Sequence, residues 1–126
     1  MINRALLAAG LLSIVVGLVH SVLGELMIFS RMRRGAWVPT DGGDALRERH
    51  VRILWASWHV VTVFGTAFAA ILLRLALAPD VELRPLLAAT VTVTMVVSAL
   101  LVLLATNGRH PGWIGLLGVA ALTWFS

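Results

Sequence analysis

Four apolar runs, Ala5 to Phe29, Ile53 to Leu77, Pro85 to Thr106 and Gly112 to Phe125, take up most of this chain. A helix that crosses a bilayer needs roughly 20 apolar residues at about 1.5 Å rise per residue, and the first three runs meet that length. The fourth is short and is expected to extend back to His110. With 60% hydrophobic residues in 126 and a mean hydropathy of +0.95, the composition is that of a membrane protein rather than a soluble domain. The expected fold is all-α, a polytopic four-transmembrane-helix bundle occupying residues 1–126 as one domain. Its helices are expected over about 4–30, 45–77, 84–106 and 110–126, with a loop over about 31–44. The first run is longer than the ~7–15-residue core of a signal peptide and is interrupted by His20 and Glu25, so it reads as a retained helix.

Orientation follows from the arginines. Arg31, Arg33, Arg34, Arg47, Arg49, Arg52 and Arg109 fall on one side, against Arg4, Arg74 and Arg84 on the other. The excess of positive charge marks the cytoplasmic side of a bacterial inner membrane and places both termini outside. Trp37, Trp55, Trp58 and Trp113 gather near the same side, as an interfacial aromatic belt would. The net charge of +4 is met by lipid headgroups, and no basic stripe interleaved with aromatics points to nucleic acid. Without cysteine, disulfides, iron–sulfur clusters and thiolate metal sites are excluded.

The loops carry clear punctuation. Pro39, Thr40, Asp41, Gly42 and Gly43 form a turn cluster, after which Asp44 is expected to cap a helix that begins at Ala45. Pro79 and Pro85 punctuate the second loop, and Asn107 to Gly112 form a tight turn with Pro111 placed to start the last helix.

Helical spacing sorts the polar residues onto faces. Gly10, Ser13, Gly17, Ser21, Gly24 and Glu25 fall within an arc of roughly 140° around His20. Gly10, Gly17 and Gly24 recur every seventh residue, a seam along which a second helix can approach closely. On the second helix Arg52, Trp55, Ala56, Thr62, Thr66 and Ala70 lie within about 60° of His59. Thr90, Thr94 and Ser98 form a line on the third helix, and Gly112, Gly115 and Gly118 line the fourth. A bundle with a polar interior near its arginine-rich end is the expected assembly.

Ionisable groups in hydrocarbon are costly unless paired or solvated, so these groups are the candidate site. His20 and His59 are expected at matching depth, each on the order of 10 Å into the hydrocarbon, facing one another closely enough to share a ligand. Such a pair can supply the axial ligands of a b-type haem or two ligands of a metal ion, copper included, with Met27 nearby. Hydrogen bonds to neighbouring hydroxyls or carbonyls are the structural alternative. Glu25 is the candidate proton carrier or base, pairing with Arg52 or His59, or else an interfacial acid that neutralises an arginine of the loop. His50 and His110 are further candidate metal ligands. On one helix His50 and His59 point in opposite directions and differ in height by about 13 Å, so a single site using both is disfavoured. There is no HExxH, no carboxylate-bridged di-iron pattern and no serine–histidine–acid set with a nucleophile elbow.

At these residues the chain resembles a group of small four-helix membrane proteins of bacteria. The resemblance lies in an HSxLGE element (His20, Ser21, Leu23, Gly24, Glu25), a WxxWH element (Trp55, Trp58, His59) and a GRHxxW element (Gly108, Arg109, His110, Trp113). It covers nearly the whole chain and implies a site, but brings no activity with it. Small multidrug transporters are similar in length, helix count and a first-helix glutamate. The long arginine-rich loop after Glu25 and the one-sided arginine bias set this chain apart from them.

The expected function is a His20/His59 site for a redox cofactor, haem b before copper or another metal, near the cytoplasmic leaflet. Two other classes fit the same residues: a non-catalytic assembly subunit of a larger membrane complex, and a lipid- or quinone-modifying enzyme using histidine and glutamate as acid and base. The expected partners are membrane lipids together with further copies of the chain or subunits of a membrane complex. The arginine bias predicts that a reporter fused at Ser126 is active outside the cytoplasm; strong cytoplasmic activity there would reverse the orientation.

Overall fold

In the computed structural model, which describes residues 1–78 and 80–126, four helices follow one another: α1 (Arg4–Met27), α2 (Glu48–Leu77), α3 (Leu83–Ala105) and α4 (Gly112–Trp124). α1 starts where Asn3 Oδ1 accepts from the Leu6 amide (3.1 Å), satisfying one of the donors a helix start leaves open. Beyond Ile28 the chain tightens into a single 3-10 turn, Phe29–Met32. α1, α2 and α3 are each long and apolar enough to cross a membrane. Much of their apolar surface, including Leu11, Leu12, Val15, Val16, Leu18 and Val22, is left exposed by the fold, as helices solvated by lipid require.

The fourth helix is shorter than expected. Its 13 residues span about 20 Å against roughly 30 Å of hydrocarbon. Asn107 and Gly108 turn the chain with φ of 51° and 73°, and His110 Nδ1 accepts from the Gly112 amide (3.1 Å), so residues 107–111 are spent on the turn. The end of α4 still reaches the start of α3, where Arg84 donates to the Ser126 carbonyl (2.8 Å). At the same end of the α1–α2 pair the Asn3 amide donates to Ala76 O (3.1 Å).

Packing runs serially, most extensively between α1 and α2, then between α3 and α4, with a slighter α2–α3 contact. A cluster of Phe29, Trp55, Ala56, Val102 and Ala105 joins the 3-10 turn, α2 and α3 near the arginine-rich end. The heptad glycines of α1 lie against α2 as expected, and all three are buried. At Gly24 the Trp58 indole lies so close that a methyl group would overlap its Nε1. By contrast, a methyl group added at Gly115 or Gly118 would meet nothing within 4 Å among the described residues, so this stretch of the small-residue line of α4 is not a seam against another helix of the chain. On α3, Thr94 and Ser98 are buried, and Thr94 returns its hydroxyl to Thr90 O (2.7 Å).

Two loop expectations are corrected. α2 begins at Glu48, not Ala45, and Arg47 occupies its N-cap with no side-chain bond. Asp44 does not cap, because a Gly42–Leu46 bridge closes the turn around it. Asp41 does the local work: Oδ1 accepts from the Gly43 amide (3.0 Å) and Oδ2 from Arg34 (2.7 Å). The Arg34 hydrogen bond, then that of Gly43, holds the Asp41 carboxyl below its ordinary range, so this clasp contributes fully above that range and is lost as pH falls below it, through the lowered value. Pro79, expected to punctuate the second loop, lies outside the described residues. Pro85 sits in the first turn of α3, where its missing N–H has no intrahelical partner to lose.

The two kinds of glycine make a paired prediction. Gly24→Ala should destabilise the protein by about 1–3 kcal/mol, because the rigid indole and α1 cannot both hold their places. Gly115→Ala should be neutral or slightly stabilising, since alanine is the better helix former. Thermal unfolding of both variants in one detergent checks this, and equal effects would refute it.

Candidate functional site

The second half of α1 and the first half of α2 cross-link through side chains. Glu25 is the hub. Its Oε1 accepts from Trp55 Nε1 and from His59 Nε2 (2.9 Å), while its Oε2 pairs with Arg33 Nη1 (2.6 Å). Three donors around one partly buried carboxylate replace the water it loses. The side chains of Glu25 and Arg33 are both 26% exposed and that of His59 is 17% exposed, which leaves the hub open at its edge. The helical register explains part of this: Trp55 and His59 lie four residues apart on one face of α2. The 3-10 turn supplies the rest by folding Arg33 back towards Glu25.

From His59 the polar chain continues inward. Ser21 Oγ lies 2.9 Å from His59 Nδ1 and 2.7 Å from Thr62 Oγ1, and Thr62 donates to Gly17 O (3.1 Å). The line ends at the Gly17 carbonyl, and the direction of donation between Ser21, Thr62 and His59 Nδ1 follows the tautomer of the ring. Ser21, His59 and Glu25 are thus a serine–histidine–acid line without a nucleophile elbow. They form an order of contacts that the sequence reading did not anticipate.

His20 takes different partners. Its ring stacks on Trp58 with centroids 4.3 Å apart and planes 8° from parallel. Nε2 donates to Trp58 O (3.2 Å), and Trp58 Nε1 donates to His20 O (3.0 Å). His20 and His59 therefore share the seam but no hydrogen-bond partner. An axial or metal ligand presents a ring nitrogen lone pair, and here the Nε2 atoms of both histidines are engaged by the protein. Among the described residues no three histidine, aspartate or glutamate side chains gather as a metal site.

The remaining candidates separate from this hub. Arg52, expected as a partner of Glu25, instead donates to Glu48 (2.7 Å) and to Ala105 O (3.1 Å). His50 and His110 line a different cavity, between the start of α2 and the α3–α4 turn. The residues that sequence reasoning missed are Arg33, Trp55 and Trp58 as donors and Ser21 as a relay. A signal was available for two of them, because Trp55 lies one turn from His59 and Ser21 one turn from Glu25.

Comparison of the chain with protein-family models, with curated proteins and with solved structures finds no match.

The hydrogen bonds of the ring can be checked directly. With ¹⁵N-labelled histidine in lipid, both ring nitrogens of His59 should report hydrogen bonds, and Glu25→Gln should shift the Nε2 signal more than the Nδ1 signal. His59→Phe should cost about 1–3 kcal/mol, since it strands polar groups on both sides of the ring. His20→Phe keeps a ring stacked on Trp58 and should cost about 1 kcal/mol or less. A His59 Nε2 signal that does not move in Glu25→Gln would overturn the assignment.

Proposed function

We propose that Glu25 and His59 form the proton-transfer centre of a membrane-embedded enzyme that acts on a lipid-phase substrate, a lipid or a quinone. The observation carrying this reading is the His59 ring itself, bonded to a carboxylate through Nε2 and to a hydroxyl relay through Nδ1. A general acid or base needs partners that hold its ring at the place of proton transfer, and such groups typically contribute 10²–10⁴-fold. Glu25 is the orienting partner and charge reservoir. His59 holds the proton at the exposed edge of the seam, and Ser21 and Thr62 fix its ring from the other side.

Arg33 and Trp55 tune this pair. Both donate to Glu25 and hold its carboxylate in place beside the imidazole. Placement near the headgroups suits a substrate whose polar head must meet the acid while its tail stays in lipid. The seam between α1 and α2 opens to the surface at the partly exposed Glu25, Arg33 and His59.

The test is complementation. Cells of the native host lacking the chain are supplied with wild type, Glu25→Gln, His59→Gln or Ser21→Ala, and their lipid and quinone pools are compared by mass spectrometry at equal protein levels. Wild type should shift one pool. Glu25→Gln and His59→Gln should reduce that shift roughly 10²-fold or more, and Ser21→Ala by less. Identical pools in all strains would refute the reading. A haem or copper absorption band in the purified protein, lost on changing His20 or His59, would replace it with the cofactor site.

A further inference from the structure

On the other flank of α2, at the arginine-rich end, a cavity of about 560 Å³ lies between the start of α2 and the α3–α4 turn. Its wall carries Arg49, His50 and Arg52 from α2, and Thr106, Arg109 and His110 from the end of α3 and the turn. Glu48 is the single acid on the wall, and it is spent on Arg52 (2.7 Å). Arg52 also donates to Ala105 O (3.1 Å) and so ties the two sides of the cavity together. Arg49 and Arg109 have no carboxylate partner among the described residues. Two guanidiniums from different elements thus face one space without a counter-ion, beside two imidazoles.

We infer that this cavity binds a phosphate group. Phosphate is the common anion that matches forked guanidinium donors, and the volume admits a phosphate with the glycerol or sugar attached to it. Arg52, already braced, serves as the fixed wall, and Arg49 and Arg109 close on the ligand from opposite sides. The Arg49 Nε–H now donates to His50 Nε2 (3.3 Å), which leaves its terminal nitrogens for the anion. The same chemistry can come from the headgroup of an anionic lipid or from a free phosphate. The inference does not depend on Glu25 or His59, which lie on the α1 flank of α2.

Two probes distinguish the sources, both on the full-length protein in nanodiscs. In mixed phosphatidylcholine and phosphatidylglycerol discs, native mass spectrometry should find phosphatidylglycerol retained preferentially. In discs of phosphatidylcholine alone, the ³¹P signal of inorganic phosphate should broaden if the site takes a free anion. Preference for phosphatidylglycerol without broadening assigns the lipid headgroup, and broadening assigns free phosphate. The pair Arg49→Gln and Arg109→Gln should weaken whichever signal is present about tenfold, with thermal unfolding unchanged. Arg31→Gln, which removes the same charge elsewhere at that end, should leave it intact. If the double variant fails to fold, Arg109→Gln alone should weaken the signal about threefold. Absence of both signals in the wild type, or an equal loss in Arg31→Gln, would overturn the inference.

Discussion

A carboxylate placed where a helix leaves the hydrocarbon must be surrounded by donors, and the arrangement of this protein's arginine-rich end follows from that requirement at Glu25. Losing hydration at an ionised group costs more than any single hydrogen bond returns, which is why three donors converge. Each donor fixes a different part of the structure. Trp55 and His59 set the rotation of α2 about its axis, and Arg33 requires the chain to reverse immediately after α1. The closeness of Trp58 to Gly24 then follows, because that rotation brings the indole onto the α1 backbone. Glycine at position 24 is therefore a consequence of the carboxylate one residue later.

The first three helices were legible in the sequence, and so was the α1–α2 contact. Apolar runs of sufficient length and a seven-residue glycine spacing both act locally, so a linear reading captures them. The start of α4 was harder to place. Its apolar run is continuous with a turn whose geometry depends on Asn107 and Gly108 adopting positive φ, and hydropathy carries no trace of that. The start of α2 failed for a related reason: Asp44 has the chemistry of a cap, but a bridge closing around it decided which aspartate could act.

The candidate site was half legible. That Glu25, His20 and His59 share one region of one interface could be read from helical arithmetic, since depth and face follow from residue number. Partner identity could not. Arg33 reaches Glu25 only because a short 3-10 turn follows α1, whereas Arg52 shares a helical face with His59 yet bonds towards α3. Two histidines on one seam look interchangeable in a sequence. In the folded chain one stacks on an indole and the other bridges a carboxylate to a hydroxyl, and among the described residues only the latter has both ring nitrogens hydrogen-bonded.

The serial packing of the helices bears on how the molecule comes together in the membrane. α1 with α2, and α3 with α4, are two hairpins, each with a firmer internal contact than the one between them. Every residue of the Glu25 hub belongs to the first hairpin, so the hub is complete as soon as that hairpin has inserted. The arginine-lined cavity has walls from both hairpins and comes into being only when they dock. During synthesis, the Glu25 hub would thus be complete before the arginine-lined cavity exists, and the slighter α2–α3 contact would mark the moment at which the second takes shape.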